Sequence, residues 1–281
     1  MAEGAHGVAP KYGILAKCLP QLAGMSRVMK AIILSAGQGS RLGALTSDQP
    51  KCLIKFAGRS LLDRQLDTLE ACGIDDVVIV TGFRDDLIEQ SLARRMGGPR
   101  VRTIFNPFYK VADNLGSLFV AREELGGDVL VWNGDTLVSE DLMRRVIANR
   151  GQPGICVTID RKPAYDSDDM KVIVAGTGRL RAIGKRIERG VNAESIGLLA
   201  FRGDGSARFR AAIERAMRTS EGTTIWYLRV IHHLAQNGDV WTLDISGEQW
   251  GEVDFPADLA GAEALCVEWD AAVDEKEAAA A

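Results

Sequence analysis

Lys30-Ala31-Ile32-Ile33-Leu34-Ser35-Ala36-Gly37-Gln38-Gly39-Ser40-Arg41-Leu42 joins a short apolar run directly to a glycine-rich turn. Lys30–Leu34 reads as a buried strand, and the two glycines let the backbone bend tightly enough to aim several N–H groups at one point, which suits an anion. Arg41 adds a planar fork of donors, and Pro50-Lys51 brings a second cation after a gap. Together they fit a triphosphate cradle; a bare G-x-G fits a plain structural turn equally well. Two better-known phosphate loops are excluded. The string GxxxxGK[ST] is absent. The dinucleotide fingerprint needs glycine where Leu42 stands, and an acid about 20 residues on at the end of a second strand. The next β-branched run, Val77–Val80, comes about twice as far along as that spacing allows.

Outward from this stretch, strand and helix patterns alternate. Leu61–Cys72 has helical spacing, closed by Gly73. Val77–Val80 reads as a central parallel strand. Asp85–Met96 is a helix, Val101–Phe105 a strand, Leu115–Leu125 a helix, Val129–Trp132 a strand, and Ser139–Ala148 a serine-capped helix. This order predicts an α/β fold with a doubly wound, mainly parallel, Rossmann-like sheet. The second half is richer in strands: Ile155–Ile159, Lys171–Val174, Leu180–Ile183 and Ser195–Phe201, with a hairpin turn at Gly176-Thr177-Gly178. Helices are expected over Ala207–Met217 and Thr224–Gln236, late strands over Val240–Asp244 and Gly251–Asp254, and a last helix from near Pro256.

The 281 residues, 46% hydrophobic and 26% charged, suffice for one large α/β domain. Residues 29–270 are expected to form it. The Gly- and Pro-punctuated residues 1–28 are expected to be a disordered extension, with Met25 and Met29 as alternative starts, and 271–281 a disordered tail. A net charge of −4 argues against a nucleic-acid coat or a membrane-surface protein, and no apolar run approaches the roughly 18 residues of a membrane-spanning helix. Cys18, Cys52, Cys72, Cys156 and Cys266 are odd in number and make no CxxC pair. A disulfide framework and a zinc site are therefore disfavoured, and free thiols fit a reducing cytoplasm.

LSAGQGSRL followed by PKCLIKFAGRSLLDRQLDTL resembles the signature of the nucleotidylyltransferases that make NDP-sugars and CDP-alcohols, whose pattern runs LAAGxGxRL, a gap, PK, then a G-x-P/S-L-L helix. Asn114…Ser117-Leu118, Asn133-Gly134-Asp135 and Glu252-Val253-Asp254 fit three later stations in the same order. Within that superfamily the chain looks most like bacterial cytidylyltransferases acting on phosphocholine-like or phosphonate acceptors, on the strength of Asp169-Met170-Lys171-Val172, Ile183-Gly184-Lys185 and Glu194-Ser195-Ile196-Gly197. Ser35 and Phe255 depart from the usual Ala and Ser or Thr. The resemblance implies a GT-A-like nucleotidyltransferase fold with a β-rich acceptor half. It also implies a Mg²⁺-dependent transfer of CMP from CTP to a small phosphorylated or phosphonate acceptor, with release of pyrophosphate. Sugar-1-phosphate or inositol-phosphate transfer with CTP, UTP or GTP is the near alternative, and a non-catalytic nucleotide-binding module the distant one. Neither nucleic acid nor membrane insertion is implied, and assembly as a homodimer is left open.

On this reading Leu34, Ala36, Gly37, Gly39, Ser40, Gly82, Asn114 and Ser117 meet the nucleotide. Arg41, Lys51 and Lys185 carry phosphate charge, and Asp168, Lys171 and Glu194 face the acceptor. Asp135 and Asp254, each at a strand end, share Mg²⁺ through hard oxygen ligands. Asn114 fits an N-cap as well as it fits a ligand contact, and each aspartate taken alone fits a turn. Tyr165-Asp166-Ser167-Asp168-Asp169, with Trp226, Tyr227 and Trp250 as further walls, suits an ammonium group by charge and cation–π contact, though a solvated loop and core aromatics are the plainer reading. His232 and His233 have no partner at ligand spacing.

Overall fold

The computed structural model describes Met1 and residues 29–151, 154–238 and 240–280. The first half runs β1 (Lys30–Leu34), β2 (Lys55–Phe56), β3 (Arg59–Ser60), α1 (Leu61–Ala71), β4 (Asp76–Thr81), α2 (Asp85–Arg94), β5 (Arg100–Phe105), α3 (Asn114–Val120), β6 (Val129–Asn133), β7 (Thr136–Val138) and α4 (Glu140–Ala148). The second runs β8 (Ile155–Asp160), β9 (Lys171–Val174), β10 (Leu180–Ile183), β11 (Ala193–Phe201), α5 (Gly205–Ala216), α6 (Tyr227–Ala235), β12 (Val240–Asp244), β13 (Trp250–Glu252) and α7 (Asp258–Ala280).

Nine strands make one mixed sheet. β6, β1, β4 and β5 lie side by side in parallel. β11 joins β6 antiparallel, and β8 and β9 pair antiparallel with β11. β12 runs parallel to β8, and β10 is antiparallel to β9. Only β10 and β11 therefore oppose the common direction. Ile32 and Ile33 show why the sheet is covered on both sides: both are fully buried, yet Ile32 packs with α3, α5 and α6 residues such as Leu118, Phe209 and Ile231, while Ile33 packs with Leu66 of α1 and Leu142 of α4. Alternation along a strand sends neighbours to opposite faces, so an unbroken apolar strand demands two helical layers. A third cluster seats Ala262 and Cys266 of α7 on Phe56, Leu137 and Val253.

Parallel pairing fixes where the loops emerge. Leu34 is level with Val80 on one side and Asn133 on the other, so the turns after β1, β4 and β6 open at the same sheet edge. A separate ribbon brings in the distant part of the chain. Glu252 of β13 pairs with Thr136 of β7, and the Val253 N–H donates to Asp135 O at 3.0 Å.

Most expected elements lie within two residues of those observed, and four differences have local causes. The helix expected over Leu115–Leu125 stops at Val120 and gives way to a 3₁₀ turn over Arg122–Glu124. Thr224 to Trp226 precede α6 rather than joining it, because Trp226 is extended. The late strand ends at Glu252, so Asp254 lies just beyond it. The last helix begins at Asp258 and continues to Ala280, through the stretch from 271 read as a disordered tail. β2, β3 and β7, of two or three residues, are too short to carry a period. The N-terminal extension read over 1–28 lies, apart from Met1, outside the described residues, as does Cys18. Among the described residues no helix is long and apolar enough to cross a membrane.

Candidate active site

The glycine loop after β1 is built by close approaches. Ser35 N–H donates to Val80 O at 2.9 Å, and Phe83 N–H donates to Ala36 O at 3.0 Å. Gly39 has φ +74°, and a Cβ there would lie 2.8 Å from Lys51 Cβ, so this glycine lets the lysine stem pass. Gly82 presses on Ala36 O and Tyr109, where a Cβ would come within 2.6 and 2.7 Å. Nothing lies within 4 Å of a Cβ built on Gly37. Ser40 is exposed and starts the 3₁₀ turn Ser40–Thr46 that carries Arg41; Leu34, at the end of β1, accepts from Gly134 N–H at 3.0 Å.

Charged side chains then cross the cleft as one chain of contacts. Lys51 Nζ lies 2.7 Å from Asp135 Oδ2 and 2.6 Å from Asp254 Oδ1. Arg41 Nη1 reaches Asp254 Oδ2 at 2.8 Å and Asp168 Oδ2 at 3.0 Å. Lys185 Nζ holds the other oxygen of Asp168 at 2.8 Å. Lys171 Nζ donates to Lys185 O at 3.1 Å. Burial opposes the charge of Lys51, but Asp135 and Asp254 outweigh it and hold its ammonium above the ordinary lysine range. Burial likewise opposes the Asp254 carboxylate, yet Lys51, Arg41 and Lys185 keep its pKa below the usual range.

Asp135, Glu252 and Asp254 each offer a carboxylate oxygen, all within 4.8 Å of one another. Partial desolvation and, more securely given its exposed surface, the charges of Asp135 and Asp254 push the Glu252 carboxyl up. Asp135 Oδ1 is buried with no hydrogen-bond partner. Three converging hard oxygens beside an orphaned carboxylate atom fit a small divalent cation; Lys51 adds positive charge between Asp135 and Asp254. The sequence reading assigned two of the three acids. Glu252 was findable, because it lies two residues before Asp254, a spacing that returns to the same face of an extended chain.

Other assigned residues lie apart from this chain of charges. Ser117 is buried, and its hydroxyl accepts from Asn106 Nδ2 at 3.1 Å. Asn114 is not the N-cap of α3, a position held by Asp113; its Oδ1 accepts from Tyr227 N–H at 3.0 Å and ties α3 to α6. Glu194 pairs with Lys162 at 2.9 Å, and Lys162 also reaches Asp169 at 2.8 Å. Burial pushes the Glu194 carboxyl up to about 7, with Lys162 opposing and Asp169 adding to the rise. This cluster adjoins the cleft, since Glu194 pairs with Lys171 across β11 and β9. Tyr165 faces the Lys162 ammonium at 5.9 Å, so an internal cation meets that ring. Trp226 lies under Lys185 Nζ at 5.3 Å and Phe255 under Arg41 at 5.2 Å. Tyr227 is fully buried, and Trp250 donates to Asp160. His232 Nδ1 accepts from Ile183 N–H at 3.3 Å, away from the acids. Cavities of about 420 Å³ beside α1 and α7 and about 550 Å³ between α5 and α6 lie elsewhere; ion pairs cross the charged cleft.

A parallel sheet edge carrying a glycine loop, two cations and three convergent acids defines a nucleotidyltransferase-like site. Residues 31–225 match the model of the MobA-like NTP transferase domain, and the chain belongs to that family. It is 28% identical over 235 residues to the CMP-5'-(3-aminopropyl)phosphonate synthase of Streptomyces rubellomurinus, covering 82% of this chain and 37% of that protein. It is 30% identical over 244 residues to the bifunctional IPC transferase and DIPP synthase of Rubrobacter xylanophilus, covering 86% of this chain and 52% of that protein. The chain thus spans about half or less of these relatives. The CTP:phosphocholine cytidylyltransferase structure from Streptococcus pneumoniae shares the fold, with a TM-score of 0.69 at 22% identity, covering 85% of this chain and 99% of that one.

Proposed function

We propose that the chain is a Mg²⁺-dependent cytidylyltransferase that moves CMP from CTP onto a small phosphate or phosphonate acceptor. The acceptor oxygen bonds to the α-phosphorus, the bond from that phosphorus to the β-phosphate oxygen breaks, and pyrophosphate leaves with the bonding electrons. One observation carries the reading: Arg41 and Lys51 from the start of the motif series and Lys185 from its middle are linked through Asp135, Asp168 and, from its far end, Asp254 along one cleft.

The acceptor oxygen is already anionic at neutral pH, so no general base is required. What opposes reaction is repulsion between anions and poor alignment, and fixed positive charge answers both. Asp135 and Asp254, with Glu252 beside them, would hold Mg²⁺, which when bound supplies charge neutralisation across the phosphates. Arg41 and Lys51 hold the pyrophosphate side. Leu34, Ala36, Gly37, Gly39, Ser40 and Gly82 line the nucleotide side, where Gly82 lets the turn after β4 close onto Ala36 O. Lys185 and Lys171 hold the acceptor anion.

The acceptor class follows from Asp168. Its carboxylate occupies Arg41 and Lys185 together. With the nucleotide's phosphates on Arg41 and the acceptor's phosphate or phosphonate on Lys185, Asp168 would lose both cations and need a positive partner. An acceptor that carries its own ammonium, as the name of the Streptomyces relative's product describes, replaces both sides of that exchange. The four described cysteines are free thiols, which suits a reducing compartment such as the cytoplasm. The test is pyrophosphate release from each NTP with phosphocholine, 2-aminoethylphosphonate, inositol phosphate and hexose 1-phosphates. CTP with an aminated acceptor is expected to give the highest kcat/KM. A preference for a neutral sugar or inositol phosphate would overturn the acceptor assignment, and silence with every pair would overturn the enzyme reading.

A further inference from the structure

The turn that carries Asp135 is gripped from behind by one side chain. Asn133 O and Thr136 O, at either end of it, both accept from the side-chain amide of Gln65, each at 2.9 Å. Gln65 is fully buried in α1. The other groups of the turn are fixed independently: Gly134 N–H donates to Leu34 O at 3.0 Å, Asp135 O accepts from Val253 N–H at 3.0 Å, and Thr136 Oγ1 donates to Ile196 O at 3.0 Å. Gly134 sits where a Cβ would fall 2.5 Å from Leu34 O, so the turn cannot retreat toward β1. The Gln65 amide spends both hydrogens on the turn, and its Oε1 is buried without a partner. A flipped amide would set that oxygen against two carbonyls, so the two donors fix the amide's orientation and leave its acceptor unused.

We propose that Gln65 is a positioning residue for the metal-binding turn: by bridging the carbonyls at the two ends of the turn from behind, its amide fixes the direction in which Asp135 presents its carboxylate to Lys51 and the cation. This rests on the assignment of the cation to Asp135 and Asp254. Gln65 lies on a helix face with the buried apolar side chains of Leu62, Leu66 and Leu69, while the neighbouring buried polar residue, Arg64, is spent on Phe56 O and Asp270. An apolar residue there would remove the donor that both turn carbonyls share, so the amide serves the turn. Outer groups that orient a ligand are worth about 10–100-fold in metal affinity or activity.

The experiment compares the full chain with Gln65→Met, Gln65→Glu and Asp135→Asn. Mn²⁺ is titrated in the presence of CTP and read by water-proton relaxation. Turnover of 2-aminoethylphosphonate is resolved into kcat and KM for CTP, and circular dichroism with thermal melting reports the fold. Gln65→Met is expected to fold, to keep KM for CTP within about twofold, and to lose about tenfold or more in both Mn²⁺ affinity and kcat. Gln65→Glu, which keeps the size but turns a carboxylate onto two carbonyl oxygens, is expected to lose more than Gln65→Met. Mn²⁺ affinity and kcat within twofold of the parent in a folded Gln65→Met would overturn the proposal. So would failure of both Gln65 variants to fold, which would make the amide a purely structural group. Asp135→Asn separates the two assignments: parental Mn²⁺ affinity in that variant removes the cation from the turn altogether, whereas its loss beside a silent Gln65→Met removes only the clamp.

Discussion

At Lys51 one ammonium stands between two carboxylates that would otherwise face each other. Removing it leaves Asp135 and Asp254 unscreened and takes away a donor proposed for the pyrophosphate, so Lys51→Met is expected to lower kcat by about 10²–10³-fold with the fold retained, measured by pyrophosphate release beside circular dichroism. Lys51→Arg is not expected to rescue it, because a planar fork cannot replace a point charge held between two carboxylates. Glu194 gives a separate prediction. Its carboxyl is raised from 4.5 to about 7 by burial. The folded state therefore holds a proton that the unfolded state has released across that window, and stability from this group is present at low pH and lost as pH climbs toward 7. Glu194→Gln removes the titration. The variant's stability relative to the parent should rise between pH 5 and pH 7.5 by on the order of 1–3 kcal/mol, read by urea denaturation at the two pH values. A difference that does not move with pH would place the Glu194 carboxyl in its ordinary range.

The elements differ in how much of themselves they announce. β1, β4 and β6 are continuous apolar runs flanked by glycine or Asn-Gly, and α1 and α4 carry serine caps that accept from Asp63 N–H and Leu142 N–H; period and punctuation place all five. β7 and β13 are three residues each, and only their mutual pairing brings Asp254 to Asp135. The motif names both acids, but nothing local in either segment says they meet. Asn114 and Ser117 were placed at the nucleotide by motif position, whereas their side chains serve the joint between α3, α6 and the loop at Asn106. A hydrogen-bonding residue type declares chemistry without declaring its partner. α6 makes a testable case. Tyr227 OH donates to Asn133 Oδ1 at 3.1 Å, and the preceding Trp226 lies under Lys185, so the start of this helix touches both the cation proposed to hold the acceptor and the strand end that leads into Asp135. Tyr227→Phe deletes only the hydroxyl. It should cost about 0.5–1.5 kcal/mol of stability and lower kcat more than KM for the acceptor; the reverse pattern would place α6 in acceptor binding alone. α7 gives another. Arg64, buried at the base of α1, makes two contacts with Asp270, at 2.9 and 2.8 Å. Truncation after Val273 is expected to leave the melting temperature unchanged, while truncation before Trp269 strips Arg64 of its carboxylate and should cost about 1.5–3 kcal/mol, read by thermal denaturation of the two chains.

For the molecule as a whole, the cleft answers its own charge. Arg41, Lys51 and Lys185 are each engaged by Asp135, Asp168 or Asp254, so a polyanion entering alone must displace carboxylates from cations and then lie beside the carboxylates it has freed. A divalent cation arriving with it removes that penalty, since the freed acids gain a partner as the phosphates take the lysine and arginine. Binding of CTP and Mg²⁺ should therefore be strongly cooperative. A ligand at about a hundred times its dissociation constant stabilises the folded state by about 2.7 kcal/mol, which for a chain of this size is a rise in melting temperature of about 5 °C. The pair together is expected to reach that shift, and CTP with a chelator or Mg²⁺ alone to produce little of it. In Asp254→Asn, which lacks one of the freed acids, CTP alone should bind better than in the parent while the gain from Mg²⁺ shrinks. Equal shifts with and without Mg²⁺ in the parent would mean that the three acids hold the cleft together without ever yielding their cations to a metal-bound nucleotide.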